Sequence, residues 1–184
     1  ARKKKGLPLL EHITIEGLAS EGKALTHVDG KVLFVPFAAT GDVCDIQVVR
    51  KKSSFMEGKI ARLVEPSPVR TEPFCPHFTI CGGCKWQHLP YDLQLQSKDQ
   101  VVRDALVRLG KIEVQQYLPI LGSSSTERYR NKLEFTFSHK RCLFPSEMDE
   151  INARPTPPNP MELSGLGYHL PGMFDKVLAI EECH

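Results

Sequence analysis

The chain has 184 residues, of which 41% are hydrophobic and 25% are charged, as in ordinary soluble proteins of one or two small domains. Its longest apolar runs, such as residues 32–35, are far shorter than the ~20 residues that a membrane-spanning helix needs, and no signal-peptide pattern occurs. We therefore expect a cytoplasmic protein with no membrane partner. Because the chain begins at Ala1 and ends directly after a cysteine, we also expect a fragment of a longer protein.

Basic charge is concentrated in the first third of the chain, although the net charge is only +2. Residues 1–65 contain eleven Lys and Arg against eight acids, with basic runs at residues 2–5 and at Arg50, Lys51 and Lys52. Runs of this kind suit phosphate backbones, whose counterions they displace. A solvated tail and a solvated hairpin are the alternative.

Alternating hydrophobicity in the first third predicts five short antiparallel strands. They cover residues 12–18, 24–28, 31–37, 43–50 and 55–64, and turn signals lie at Glu21-Gly22, Asp29-Gly30, Thr40-Gly41-Asp42 and Glu57-Gly58. Asp29-Gly30 is the strongest of these hairpin signals. Five strands in about sixty residues favour an OB-like barrel, an architecture that binds oligonucleotides, and an SH3-like barrel would produce much the same pattern.

Prolines from residue 66 onward end the barrel pattern. Residues 91–109 have the periodicity of one long helix, which ends at Gly110. Strand patterns return from Tyr129 to Phe137, at 166–170 and at 176–180, and the proline-rich stretch 141–162 is predicted to be a long loop.

The predicted fold is therefore mainly β with one long helix, in three parts. Residues 1–65 form the barrel, residues 66–90 form a linker and a cysteine-rich loop, and residues 91–184 form a small, incomplete α+β central domain.

Three closely spaced cysteines, Cys75, Cys81 and Cys84, carry the strongest chemical signal in the sequence. Gly82-Gly83 lets the backbone bend around an ion, and thiolates this close repel one another unless a metal neutralises them. Cys183 is the best candidate for a fourth ligand, and a reducing cytosol disfavours a disulfide. The gaps of five and two residues favour an iron–sulfur cluster over zinc, for which the alternative ligands are His77, His88 and His184.

The order of these features resembles that of the bacterial 23S rRNA uracil-5 methyltransferase family. The likeness rests on a barrel followed by Ser-Pro-Val-Arg at 67–70, on the Cys75-x5-Cys81-Gly82-Gly83-Cys84 spacing and on a helix that opens with residues 91–98. In the family the barrel is a TRAM domain, to whose central strand and turn residues 30–36 and 41–43 are similar. Three clustered cysteines and one distant cysteine hold a 4Fe–4S cluster there, and their matches are Cys75, Cys81, Cys84 and Cys183.

The resemblance also implies an activity. Members transfer a methyl group from S-adenosylmethionine to C5 of a flipped-out uracil, after a cysteine thiolate has added to C6. This chain has neither a glycine-rich turn for the methyl donor nor the Asp-Pro-Pro-Arg segment of the family, so we identify no catalytic residue. We expect Cys44 and Cys142 to be structural, the methyl donor to be bound by a domain outside the chain, and the chain alone to be inactive.

What remains for this portion is recognition of RNA, above all of 23S rRNA. The basic residues predicted to contact it are Arg50, Lys51, Lys52, Arg128, Arg130 and Lys132. Residues 129–132 and 166–169 resemble strands of the family's central domain, which touches RNA. Phe34 and Phe37 are candidates for stacking on bases, although a core position is the favoured interpretation for Phe34. No feature indicates an obligate protein partner.

Other classes of protein compete with this interpretation. A free-standing RNA-binding module with a structural metal and no catalysis would share these features, and sequence beyond residue 184 would separate the two. Radical enzymes that add methylthio groups to tRNA also join a TRAM barrel to an iron–sulfur cluster, but their cysteine spacing resembles Cys-x3-Cys-x2-Cys, whereas the first gap here is five residues. Uracil-5 methyltransferases that act on tRNA are disfavoured as well, because they generally lack both the barrel and the cluster.

Overall fold

The computed structural model describes residues 6–180 and 182–183. The basic run at residues 2–5 lies outside the described residues. The chain divides into two compact units, one formed by Ala1–Phe74 and Lys85–Ser124 and the other by Cys75–Cys84 and Ser125–His184. The cysteine loop thus belongs to the second unit, although the segments on either side of it belong to the first. The predicted boundaries after residues 65 and 90 stay a prediction.

Six strand segments form one curled sheet in the first unit. They are β1 (Leu9–Thr14), β2 (Gly17–Leu18), β3 (Lys23–Val28), β4 (Lys31–Pro36), β5 (Val43–Lys51) and β6 (Phe55–Glu65), in the order β1-β5-β6-β4-β3-β2. β1 and β2 stand at opposite ends of this order, yet they are neighbours in the chain. The sheet therefore curls back on itself, because one bent segment pairs with β5 through its first half and with β3 through its second.

This bend explains why six strand segments replace the five predicted strands. The sequence predicts one strand over residues 12–18, whereas the structure breaks it at Ile15 and Glu16. Their amides donate to the carbonyl oxygens of Asp42 (2.9 Å) and Leu25 (3.0 Å), on the two sides of the barrel seam. The mainly β fold and the barrel-like first unit are confirmed.

The prediction of purely antiparallel pairing is wrong in one place. β4 pairs with β6 in parallel, with Leu33 opposite Met56. Hairpin signals in a sequence report antiparallel neighbours, whereas this pair joins strands from two different hairpins. Its register depends on how the barrel closes, which no local pattern encodes.

Two glycines show how a local signal can be right or wrong. Asp29 and Gly30 both have positive φ (51° and 71°), as a type I′ hairpin turn between β3 and β4 requires, so that turn is confirmed. Gly58 lies inside β6 instead, and the prediction of a turn at Glu57-Gly58 is wrong. A Cβ atom at Gly58 would stand 2.4 Å from Cγ2 of Ile46, so glycine is needed there for close packing.

Inward-facing aliphatic side chains fill the barrel. The buried members of this core are Ile15, Ala24, Leu33, Val35, Ala38, Cys44, Ile46, Val48 and Met56. On β4 the buried Leu33 and Val35 alternate with the partly exposed Phe34. Because successive strand side chains point to opposite faces, Phe34 points outward, and its interpretation as a core side chain is wrong.

One long helix follows in the first unit. α1 (Tyr91–Asp104) continues through a π-helical turn at Ala105–Leu109, so the helical stretch ends where the sequence predicts. Nε2 of Gln94 donates to the carbonyl oxygens of Trp86 (3.1 Å) and Leu89 (2.9 Å), which secures the segment that leads into the helix. No helix of the described residues is long and apolar enough to cross a membrane.

A three-stranded antiparallel sheet organises the second unit. Its strands are β7 (Thr136–Ser138), β8 (Gly165–His169) and β9 (Val177–Ala179), in that order, and β7 is shorter than the strand pattern predicted. The predicted long loop over 141–162 is wrong for the eight residues of α2 (Pro145–Asn152). Pro145 stands at the first helical position and the Glu147 carboxylate accepts a bond from the Phe144 amide (2.8 Å), and both features start a helix.

A buried carboxylate, that of Asp42, attaches the segment after β6 to the barrel. Its oxygens accept bonds from the amides of Ala39 (2.6 Å) and Ser67 (2.9 Å) and from Nε and Nη2 of Arg70 (2.8 and 2.7 Å). The Asp42 side chain is fully buried. Burial alone would raise the pKa of Asp42, but these hydrogen bonds and the charge of Arg70 hold it below its usual value.

Replacing Asp42 with Ala should lower the free energy of unfolding by about 3 kcal/mol, because the guanidinium and two amides lose their acceptor. Urea denaturation at pH 7 measures the loss. The control variant Glu65→Gln, which removes an exposed carboxylate, should change the free energy of unfolding by less than about 0.5 kcal/mol.

The effect of Asp42→Ala should also depend on pH. The pKa of Asp42 is lowered on folding, so its contribution is fully present above the unfolded value of ~3.9 and is lost as the pH falls below it. The stability difference between wild type and variant should therefore shrink below pH 4. A difference that stays constant down to the acid limit of the fold would contradict this account.

Candidate functional site

The clustered cysteines lie on a loop that packs closely against β8 in the second unit. A Cβ atom at Gly82 would lie 2.9 Å from the carbonyl oxygen of His169. One at Gly83 would lie 3.4 Å from Sγ of Cys81 and 3.8 Å from the ring of Tyr168. The Gly83 amide donates to Sγ of Cys81 at 3.3 Å. Paired glycines therefore let the loop approach the strand and aim a main-chain donor at a thiol.

Cys183 shares the surroundings of the loop cysteines. Burial raises the pKa of Cys81, and negative charge on Cys84, Cys183 and Cys75 raises it further. Burial likewise raises the pKa of Tyr168, whose hydroxyl is hydrogen-bonded to Cys183. Charge on each of the other three thiols therefore reaches Cys81. A positive centre among them would relieve the repulsion between their thiolates.

Within residues 6–180 and 182–183, no three His, Cys, Asp or Glu side chains meet in an arrangement that could hold a metal ion. Cys44, Cys81, Cys84, Cys142 and Cys183 are free thiols. Of the histidines considered for zinc, His88 is buried in the first unit, where its Nε2 donates to the carbonyl oxygen of Ala38 at 3.2 Å. His184 lies outside the described residues. The four cysteines thus stay the predicted ligand set.

Cys44 and Cys142 have other surroundings. Cys44 is fully buried in the barrel core, and this burial raises its pKa to about 11. Such a thiol is protonated at neutral pH and is a poor nucleophile. Cys142 is partly buried, and its amide donates to the carbonyl oxygen of Val177 (2.6 Å) at the start of β9. Both environments agree with a structural role.

The first set of basic residues lies where β5 turns into β6. Arg50 forms an ion pair with Glu57 (3.3 Å). Lys51 and Lys52 are exposed, and neither forms an ion pair with a described residue. Nζ of Lys31 donates to the carbonyl oxygen of Lys52 (3.3 Å), which adds a fourth cation. This end of the barrel therefore carries a surplus of positive charge.

The second set lies in the second unit and is more fully compensated. Arg128 pairs with Glu182 (2.6 Å) and Lys132 pairs with Glu134 (2.8 Å), whereas Arg130 forms no ion pair with a described residue. Two of the three cations therefore already have a carboxylate partner that would compete with phosphate. This makes the second set the weaker candidate for RNA binding.

Two features, one beside the cysteine loop and one beside the first basic set, are not predicted from the sequence. Tyr168 lies against the cysteine loop, and this contact depends on packing between loop and strand. Phe34 and Phe55 form an edge-to-face pair on the outer wall of the barrel. The alternation along β4 is the signal that could have identified the outward position of Phe34.

Iodoacetamide at pH 8 should modify Cys84 well before Cys44 in the folded, metal-free protein. Cys84 is exposed, whereas Cys44 is buried with a pKa of about 11. At pH 8 such a thiol is ionised in only on the order of one molecule in a thousand. Peptide mass spectrometry over time measures both rates, and urea-unfolded protein, in which the two should react alike, is the control. Equal rates in the folded protein would refute the burial of Cys44.

Comparison with known proteins identifies the barrel and its relatives. Residues 11–61 match the TRAM domain. The chain is 60% identical over 171 residues to an uncharacterized RNA methyltransferase of Porphyromonas gingivalis, which covers 92% of this chain and 36% of that protein. It is 38% identical over 130 residues to the 23S rRNA (uracil(1939)-C(5))-methyltransferase RlmD of Nitrosococcus oceani, which covers 70% of this chain and 29% of that protein.

A solved structure also aligns with the chain. It is the Pyrococcus abyssi tRNA (uracil-54, C5)-methyltransferase in complex with S-adenosyl-L-homocysteine, with a TM-score of 0.49 and 24% identity over 94% of this chain and 32% of that one.

The chain spans about a third of the length of the two relatives named above. The match to the TRAM domain and the 60% identity over most of the chain confirm the resemblance drawn from the sequence. The chain carries a TRAM domain and is similar over most of its length to proteins that are named RNA methyltransferases.

Proposed function

We propose that this chain recognises ribosomal RNA and holds a 4Fe–4S cluster as part of an S-adenosylmethionine-dependent uracil-5 methyltransferase. The observation that carries the proposal is the joint presence of a TRAM domain and of a cysteine loop in which Cys81 lies within electrostatic reach of Cys183. A relative named as a 23S rRNA uracil C5 methyltransferase supports C5 of a uracil in 23S rRNA as the target. Such a target implies a cytoplasmic location.

The proposal divides the work between two parts of a longer protein. This chain would supply RNA recognition and the cluster, whereas the binding site for the methyl donor and the cysteine that attacks C6 of uracil would lie outside these 184 residues. The chain alone, given S-adenosylmethionine and RNA, is expected to transfer no methyl group, because methylation needs a placed thiolate, a base and a donor pocket together.

Cys75, Cys81, Cys84 and Cys183 would hold the cluster through their thiolates. What supports such a group is that charge on each of the other three thiols reaches Cys81, where a cationic centre would offset it, and that the loop carrying three of them packs against β8. The Gly83 amide and the Tyr168 hydroxyl would supply hydrogen bonds near the sulfur ligands, and such bonds tune the reduction potential of a cluster. Four cysteine ligands would leave no open position for substrate, so the group would cross-link the loop to the segment after β9.

Protein prepared without oxygen should contain about four iron and four sulfide per chain. Cys183→Ser should remove most of the iron, because it deletes one ligand of the cluster. Cys142→Ser is the matched control and should keep a wild-type iron content. Full iron in the Cys183 variant would remove this residue from the ligand set, and zinc in place of iron in anaerobic wild type would overturn the cluster.

Phosphate contact is proposed to occur mainly at Arg50, Lys51 and Lys52. These residues are exposed at the basic end of the barrel, and two of them have no acid partner among the described residues. RNA binding through phosphate contacts releases counterions, so its affinity falls as salt rises.

Replacing Arg50, Lys51 and Lys52 with Ala should flatten the dependence of log Kd on log salt by about 2, since each phosphate contact on single-stranded RNA contributes ~0.7. The measurement is a salt titration with a labelled RNA loop. The matched control replaces Arg128, Arg130 and Lys132 with Ala and should change the slope less, because two of those cations are already paired. The opposite ranking would move the phosphate contacts to the second unit.

A further inference from the structure

The outer wall of the barrel carries an aromatic pair that the barrel core does not use. Phe34 on β4 and Phe55 at the start of β6 meet edge to face, with ring centroids 6.1 Å apart and an interplanar angle of 66°. Both side chains are partly exposed, and neither belongs to the core cluster. The residues that follow them, Val35 and Met56, are buried, so both rings lie on the outside of the sheet.

Cations border this pair on the neighbouring strands. Phe34 lies opposite Glu57 of β6, and Glu57 lies opposite Arg50 of β5. On the other side, Nζ of Lys23 in β3 stands 6.0 Å from the centroid of the Phe34 ring. The Glu57 carboxylate pairs with both Arg50 (3.3 Å) and Lys23 (3.7 Å). One acid is thus placed between two bases beside the rings.

We propose that Phe34 and Phe55 form a stacking platform for unpaired bases of single-stranded RNA, with Lys23 and Arg50 contacting the adjacent phosphates. This inference rests on the proposed function and adds residues that hold RNA by its bases rather than by its backbone. Aromatic rings flanked by cations on an exposed barrel wall are the combination that single-strand binding uses.

The same chemistry disfavours other occupants of this surface. A duplex keeps its base faces stacked inside and would use the cations without the rings. An apolar protein surface would use the rings but would also bury the ion pairs of Lys23 with Glu21 and Glu57 and of Arg50 with Glu57, which is costly. Single-stranded RNA satisfies both groups, because every base offers a flat face and every nucleotide offers a phosphate.

Lys23 has two uses in this arrangement. In the free protein its ammonium group lies near the Phe34 ring and pairs with the exposed Glu21 (3.3 Å) and with Glu57 (3.7 Å). A base arriving on the ring would displace it, and its flexible stem lets the ammonium reach the phosphate instead. Contacts of this kind are weak at exposed sites, so little is lost when the ammonium moves.

The test uses the whole chain and an RNA oligonucleotide that carries 2-aminopurine, whose fluorescence is quenched by stacking. Phe34→Leu and Phe55→Leu keep an apolar side chain and every charge. Each should weaken single-strand binding by about tenfold and reduce the quenching, while the salt dependence stays as in wild type. Phe34→Trp, which keeps a flat ring, should retain both affinity and quenching.

The matched control is Phe137→Leu, an aromatic on β7 in the second unit whose exposure is 65%. It should leave affinity and quenching unchanged. The same RNA annealed to its complement should bind wild type and Phe34→Leu equally, because its bases are not available to the platform. Circular dichroism of each variant verifies that the barrel is folded.

Two failures are distinguishable. Wild-type binding that is unaffected by Phe34→Leu and Phe55→Leu, with quenching intact, would overturn the platform and leave RNA recognition standing. Absence of any RNA binding by folded wild-type chain would overturn both the platform and the proposed recognition role.

Discussion

The buried carboxylate of Asp42 fixes three parts of the first unit at once. Its side chain accepts bonds from the amide of Ala39 before β5 and from Ser67 and Arg70 after β6. Its carbonyl oxygen accepts the amide of Ile15, where the first strand bends to close the barrel. A fully buried charge is tolerated only with such a complete set of donors. Asp42 therefore fixes both the barrel seam at Ile15 and the position of the segment that leaves the barrel after β6.

Local periodicity predicted much of this fold, and non-local packing accounts for the rest. The β3–β4 hairpin and the helix that ends at Leu109 follow from Asp29-Gly30 and from a repeat of 3.6 residues. The parallel pairing of β4 with β6 and the close approach at Gly58 depend on residues far apart in the chain. The sequence does not predict the short helix α2, because the many prolines around it favour a loop although Pro145 itself suits the first position of a helix.

The candidate sites divide in the same way. The cysteine spacing indicates three thiols and the position of Cys183 after a predicted strand indicates a fourth, whereas the contact of Tyr168 with Gly83 requires the folded loop. A charge run indicates the first basic set and the start of a predicted strand indicates the second, but only the structure distinguishes Lys51 and Lys52 from Arg128 and Lys132, which are paired with acids. Sequence thus predicts which residue types can act, and folding decides which of them are available.

A preference for unpaired bases would connect recognition with the chemistry proposed for the longer protein. A uracil in a duplex is inaccessible at C5 and C6, and extruding it costs a few kcal/mol of stacking and pairing. Phosphate contacts at Arg50 to Lys52 cannot offset that cost selectively, because duplex and loop both offer phosphates. Rings such as Phe34 and Phe55 can, since they stabilise bases only after these have left their stack. Under the proposed function, the barrel wall would select RNA that is already open, and the methylating part proposed for the longer protein would receive its target in a reactive conformation.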